Sequence, residues 1–286
     1  MVNYNPKKWG NVIFHPYNKN ILLKLTPNTI LFGMYTWLII FLMDDYLHIQ
    51  KSTTAVHSLL GVVLGLFLVM RTNTSYERWW EGRKKWGELI NNCRNLAIKI
   101  DTMTKDNSYH DFFSRMIPNY AYAMKEHLRE GVIVAELDLT ETEIEEINKK
   151  GHKTSYIAQK MYAKLNEMKA EKELSEEEFL SIDDNLKNFS NITGACERIK
   201  NTPIPYSYSS FLKKFIFVFV VTMPLSFVSS FGYFSGFISM FIFYILVSME
   251  VLAEEIEDPF GLDENDLPTD NLCAKIRDNV KEILTN

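Results

Sequence analysis

Val62, Leu66 and Met70 recur every four residues within residues 52–70, a run of nineteen that contains no Asp, Glu, Lys or Arg. On a helix, side chains four apart share a face, so the three form one gently drifting apolar stripe. The chemistry open to such a stripe is exclusion of water, because apolar rings around a pore gate by dewetting. Gly61 and Gly65 form a GxxxG pair on a neighbouring face, which lets another helix approach closely. Periodicity alone favours a plainer reading, in which the stripe faces lipid or packs inside a membrane helix. His57, at the outer end of the run, reads as an interfacial residue with satisfied hydrogen bonds rather than as a ligand or pH sensor.

A denser polar set follows at residues 254–266, where Glu254, Glu255, Glu257, Asp258, Asp263, Glu264 and Asp266 surround Pro259 and Gly261. Hard cations such as Ca2+ take several carboxylate oxygens on a turning backbone. The spacing is not that of an EF-hand, so a solvated acidic loop competes with a cation site. Elsewhere there is no GxxxxGKS or GxxxxGKT, no HExxH, no GxSxG and no CxxC, and the six His residues are scattered without metal-ligand spacing. With no nucleophile–base pair or metal cluster to nominate, the chain does not read as an enzyme.

The elements that must position these residues follow from where the apolar residues are segregated. A mean hydropathy of -0.12 resembles that of a soluble protein. The apolar residues nevertheless collect at 29–70 and 215–249, on either side of a polar middle long enough for a helical domain outside the bilayer. Nineteen helical residues cover roughly 28 Å, the thickness of a hydrocarbon core. Residues 52–70 therefore read as a membrane span. Arg71, followed by Arg78, Trp79, Trp80, Arg83, Lys84, Lys85 and Trp86, reads as its cytoplasmic anchor. An earlier span is expected at 29–43, with Pro27 and Asn28 at the helix start and an acidic outside link at 44–51. The uncharged stretch 215–249 would reach ~52 Å as one helix, too long for a bilayer. Pro224 and the cluster Ser229, Ser230, Gly232, Ser235 and Gly236 divide it into two spans, which leaves both termini inside.

In the polar middle, Trp79, Trp80, Trp86, Leu89, Ile90, Cys93, Leu96 and Ala97 keep helical spacing, so the second span continues into the cytoplasm with one buried face. A break is expected at 101–108, then helices at 112–128 (kinked at Pro118), 140–147 and 154–168. Ser175 and Glu178 form a capping box that opens a long helix to about Lys200, ended by Pro203 and Pro205. The expected divisions are a cytoplasmic segment 1–28, spans at 29–70, a cytoplasmic helical domain 71–210, spans at 211–252 and a cytoplasmic segment 253–286. Net charge is -5, which argues against nucleic acid as a partner. Cys93, Cys196 and Cys273 suit a reducing compartment, and the N-terminal residues lack the pattern of a cleaved signal peptide.

Residues 71–87, with Arg78, Trp79, Trp80, Glu81, Gly82 and Trp86, resemble the motif that follows the second transmembrane helix in bestrophins, particularly the bacterial branch. Residues 254–261, continuing to Asn265, Asp266, Leu267 and Pro268, resemble the family's hallmark beyond its last span. Residues 196–205, from Cys196 to Pro205, give a third match in the family's order. The resemblance implies an all-α membrane protein with four transmembrane helices per subunit and a cytoplasmic helical domain, assembled as a homopentamer around a central pore. It puts the family's hydrophobic neck on Val62, Leu66 and Met70, where many members carry an aromatic in place of Met70, and the cytoplasmic aperture on Leu180.

Animal bestrophins bind activating calcium in the acidic turn. Asp263 and Asp266 match those positions, Asp258 stands where Asn is common, and Leu262 replaces an acid and offers only its carbonyl. The expectation is that no cofactor is required, with a degenerate calcium turn at Asp258, Asp263 and Asp266 as the alternative. The implied function is passive passage of small monovalent ions, chloride or another anion at family level. Sodium or potassium is the alternative, raised by Asp183, Asp184, Glu254 and Glu255 near the cytoplasmic mouth. A non-conducting membrane-anchored scaffold is the remaining reading. Expected partners are further copies of the chain, membrane lipid and the permeant ions, in a multi-pass arrangement in the plasma (inner) membrane.

Overall fold

The structure, a computed structural model, describes residues 7–8, 10, 17–46 and 54–285, and every regular element among them is helical. The helices are α1 (Tyr17–Ile40), α2 (Thr54–Met103), α3 (Asn107–His127), α4 (Glu141–Asn148), α5 (Lys153–Ala170), α6 (Glu176–Asn201), α7 (Tyr206–Thr222), α8 (Pro224–Phe231), α9 (Ser235–Glu257) and α10 (Thr269–Leu284). Two units are formed, one from Met1–Glu77 with Pro203–Glu257, the other from Arg78–Thr202 with Asp258–Asn286. Helix α2 contributes to both.

In the first unit, Leu23–Met43, Thr54–Met103 and Tyr206–Glu257 are long and apolar enough to cross a membrane. Phe32, Leu64, Leu68, Leu212, Ile216, Phe219, Val220 and Met223 form its core, while Leu31, Leu38, Leu59, Phe217 and Phe241 stay exposed. Helices α1 and α9 meet through small residues. The Met240 thioether lies against Gly33, the Trp37 indole lies against Gly236, and the rings of Phe32 and Phe243 stack at 4.9 Å. A β-carbon at Gly236 would overlap the Trp37 indole, and one at Gly33 would displace the Met240 side chain. The helical run of Tyr206–Glu257 is interrupted at Pro224 and again at a 3₁₀ turn, Gly232–Phe234, where Gly232 takes φ +49°, a conformation open to glycine.

Pro27 lies inside α1 rather than at its start. A proline forfeits the bond to the carbonyl four residues back, but apolar residues on both sides continue the helix, and membrane helices tolerate this loss. The expected link at 44–51 falls largely outside the described residues. The π-helical turn Phe41–Tyr46 ends α1 instead of a loop at Asp44.

In the second unit, α2 ends at Met103, and Asp106 caps α3 by accepting from the Ser108 N–H at 2.8 Å. Capping boxes form at Thr140 with Glu143 and at Ser175 with Glu178. The core runs from Trp86 and Leu89 through Phe113, Tyr120 and Met124 to Ile182, Phe189, Ile276 and Val280. Helix α10 went unpredicted, although Leu272, Cys273, Ile276, Val280 and Leu284 keep helical spacing. It is pinned to α3 by buried Lys125, which is 2.8 Å from Asp270, Glu126 and Glu136, and by Arg129, 2.7 Å from Asp270. Burial works against the Lys125 charge, but the bonds to Asp270, Glu126 and Glu136 outweigh it and raise its pKa.

Candidate functional site

Val62, Leu66 and Met70 are 64%, 62% and 58% exposed on α2, while Leu64 and Leu68 on the opposite face are buried in the first unit's core. The stripe is therefore neither packed inside the subunit nor scattered around the helix. Of the GxxxG pair, Gly61 faces the Phe219 ring, whereas Gly65 faces open space.

Polar contacts fix the rotation of α2 that presents this stripe. Thr54 Oγ1 donates to Ser226 O at 2.9 Å, and His57 Nε2 lies 2.9 Å from Thr222 Oγ1. The expectation of a satisfied His57 is met by this bond, though the ring is buried in the subunit. Tyr208 donates its hydroxyl to Phe67 O at 3.3 Å.

The strongest restraint follows Met70 directly. Arg71 is 1% exposed, so it is not part of a surface anchor as its place in the basic cluster predicted. It donates to Glu257 Oε2 at 2.7 Å and Ser75 Oγ at 3.1 Å, with Glu250 Oε1 3.6 Å from Nε. Its partner acids come about 180 residues later, beyond the reach of any spacing argument. Trp86 also departs from the anchor role, because it is buried in the second unit's core.

Leu180 is exposed in the second turn of α6, in the second unit, with Asp184 exposed one turn further on. Lys99 steadies this end of α6 by donating to Ser181 O at 2.7 Å and Asn185 Oδ1 at 2.6 Å. Asn185 passes the contact on to Asn92 Oδ1 at 3.0 Å. Ile182, Leu186 and Phe189 bury the opposite face, so Leu180 and Asp184 share the uncovered one.

The acidic turn belongs to a tightly braced corner of the same unit. Asp258 is 2.6 Å from Lys200 Nζ, and Asp266 Oδ2 accepts from the Asp263 N–H at 2.7 Å. A β-carbon on Gly261 would come within 2.7 Å of that Asp266 oxygen, so the turn needs glycine there. Arg78 donates to Ile199 O and Thr202 O, each at 2.5 Å, and Trp79 Nε1 to Asn265 O at 3.0 Å. Gly82 admits the rings of Pro259 and Phe260. The three sequence motifs thus interlock in one place. Asp266 is 2% exposed, its Oδ1 is unpartnered, and burial pushes its carboxyl up to about 6, reinforced by the charges of Asp263 and Asp258. For a calcium ion the donor set fits poorly: Lys200 occupies Asp258, a backbone N–H occupies one oxygen of Asp266, and Leu262 points an apolar side chain to solvent.

The profile of the bacterial and fungal bestrophin proteins matches residues 1–282 of this chain. The chain is 32% identical over 272 residues to the voltage-dependent anion channel-forming protein YneE of Escherichia coli K12, covering 94% of this chain and 89% of that one. A voltage-dependent anion channel-forming protein of Nostoc sp. is 34% identical over 230 residues, covering 78% of this chain and 75% of its own length. The crystal structure of a bacterial bestrophin homologue from Klebsiella pneumoniae superposes with a TM-score of 0.87 at 27% identity, covering 92% and 99% of the two chains. Sequence and fold therefore agree, and the chain belongs to the bestrophin family.

Proposed function

We propose that this chain is one subunit of a channel that passes small monovalent ions passively, with chloride or another anion as the permeant species. The observation that carries this reading is the stripe of Val62, Leu66 and Met70. It is uncovered in the lone subunit and lies on a helix otherwise packed and bonded into place. Further copies would bring the stripe together about an axis, as a neck that conducts when wet and blocks when dry. The reading takes five copies, four membrane spans per copy with α7–α8 and α9 as the last two, both termini on the cytoplasmic side, and the plasma membrane as location. Leu180 forms a second narrowing. The names of the relatives support an anion as cargo. The acidic turn serves as a structural brace and needs no calcium.

An uncharged neck cannot choose ions by Coulomb attraction, so selectivity must come from elsewhere on the path. One observation favours cations: Glu177 and Asp184 flank Leu180 on the exposed face of α6. Acids at a constriction raise the local cation concentration.

Purified chain in liposomes should dissipate an imposed ion gradient. Reversal potentials under asymmetric KCl then give the ion's sign, with anion conduction reversing toward the chloride equilibrium potential. An intact gradient would leave only a membrane-anchored scaffold.

A further inference from the structure

His127, His152 and Glu197 stand 25 and 45 residues apart in sequence, yet three elements bring them together. His127 is the last residue of α3, His152 caps α5 and Glu197 lies in α6. Glu197 Oε1 is 2.6 Å from His127 Nε2 and 2.8 Å from His152 Nε2, and the two imidazole rings lie 4.6 Å apart. We propose that these side chains form a binding site for a divalent transition cation of the Zn2+ type, with water completing the coordination.

The chemistry of the donors sets the ion class. Two imidazole nitrogens with one carboxylate oxygen suit zinc and its first-row neighbours, whereas calcium and magnesium want oxygen alone. The three ligand atoms lie within 4.8 Å of one another. A tetrahedral zinc with bonds near 2.0 Å holds its ligands about 3.3 Å apart, so the nitrogens, now 2.6 and 2.8 Å from the oxygen, need retreat by roughly 0.7 and 0.5 Å. All three side chains are partly exposed, at 27%, 42% and 29%. That gives an ion a way in and leaves room for water.

A second layer already orients one ligand. His152 Nδ1 lies 2.8 Å from Thr154 Oγ1 and Ser155 Oγ, and 3.2 Å from the Ser155 N–H. When Nε2 takes the metal, the ring proton moves to Nδ1 and is donated to one of these hydroxyls, at the expense of the longer N–H contact. Such outer hydrogen bonds fix the tautomer and ring angle of metal-binding histidines. Sequence spacing could not reveal the site, because its three members come from separate elements.

The test uses the full chain in detergent, stripped with chelator and titrated with Zn2+ alone. One ion per chain is expected, with a rise in Tm. His152→Ala and Glu197→Gln should each weaken binding on the order of a hundredfold and abolish the zinc-dependent part of Tm. Cobalt in place of zinc should give visible bands without the thiolate charge-transfer band expected from a cysteine ligand. Zinc affinity unchanged in His152→Ala, a cobalt–thiolate band, or no binding by the parent chain would each overturn the site. A variant with helicity and metal-free melting unchanged separates ligand loss from misfolding. Conduction is not a readout here, so the result stands apart from the channel reading.

Discussion

The Arg71 guanidinium donates to Glu257 Oε2 at 2.7 Å, and Glu257 Oε1 in turn accepts the Ile204 N–H at 2.8 Å. One carboxylate thus links three segments of the first unit: α2 just past Met70, the entry to α7 and the end of α9. The guanidinium is planar and buried, so this contact ties the turn of α2 that follows Met70 to the neighbouring segments.

Removing one partner of a buried ion pair strands the other charge, at a cost of about 3–5 kcal/mol. Glu257→Ala should lower stability by that order, read as a drop in detergent Tm. Arg71→Met with Glu257→Met should cost less than the sum of the two single losses, because the bonded pair then leaves together, although buried Glu250 loses its guanidinium neighbour. Additive losses in the double variant would show that the two residues act independently.

Leu66 lies at the middle of the exposed stripe and packs against nothing in its own subunit's core. Leu66→Ala should therefore change the stability of the isolated subunit by no more than about 0.5 kcal/mol. Its effect on flux should be much larger. A smaller, less apolar collar wets more readily, and a barrier lower by ~1.4 kcal/mol raises flux roughly tenfold. Liposome efflux measures this directly, and unchanged flux would remove Leu66 from the gate.

The elements that could be read from sequence are those whose signals are local. The capping boxes at Thr140 and Ser175, the break after Met103 and the extension of α2 beyond residue 70 all rest on neighbours within one or two turns. The stripe of Val62, Leu66 and Met70 was legible for the same reason. The neck role proposed for it rests on resemblance, since periodicity cannot tell lipid from pore. Arg71 with Glu257, Lys125 with Asp270 and His127 with Glu197 were hidden because each pair is separated by at least 70 residues. Helix α10 does carry a local signal, the apolar spacing from Leu272 onward, but it has no N-cap side chain and follows directly on the acidic turn, so its start is unmarked in the sequence.

Burial raises the Asp266 carboxyl to about 6, while Asp270 is lowered to about 2 by its bond to Arg129 and further by Lys125. The signs are opposite. The folded state holds a proton on Asp266 that the unfolded chain releases above about pH 4, so stability falls as pH climbs from 4 through 6, by on the order of 2–3 kcal/mol. Asp270 contributes stability above about pH 4 that is lost as pH falls toward 2, worth about a third of its full shift, on the order of 1 kcal/mol, because the side chain is mostly exposed. Asp266→Asn should flatten the decline between pH 4 and 6 and leave the acid limb in place. Chemical denaturation across that range checks it, and an unchanged slope would contradict the buried-proton account.

Asp184 follows Leu180 by one turn on the exposed face of α6, and it makes the cation reading testable. A unit charge about 7 Å from an ion in water contributes roughly 0.6 kcal/mol, close to a threefold change in local concentration before screening. Physiological salt, with a Debye length near 8 Å, reduces this further, and repetition around an axis multiplies it. If this face lines the path, Asp184→Asn should move the reversal potential under asymmetric KCl toward the chloride value by a measurable fraction of its range. Asp111→Asn, which removes an exposed acid on α3, should leave the potential where it was. A shift in both would mean that net charge, rather than position on α6, governs the effect. A shift in neither would detach α6 from selectivity and return the choice of ion to groups nearer the neck.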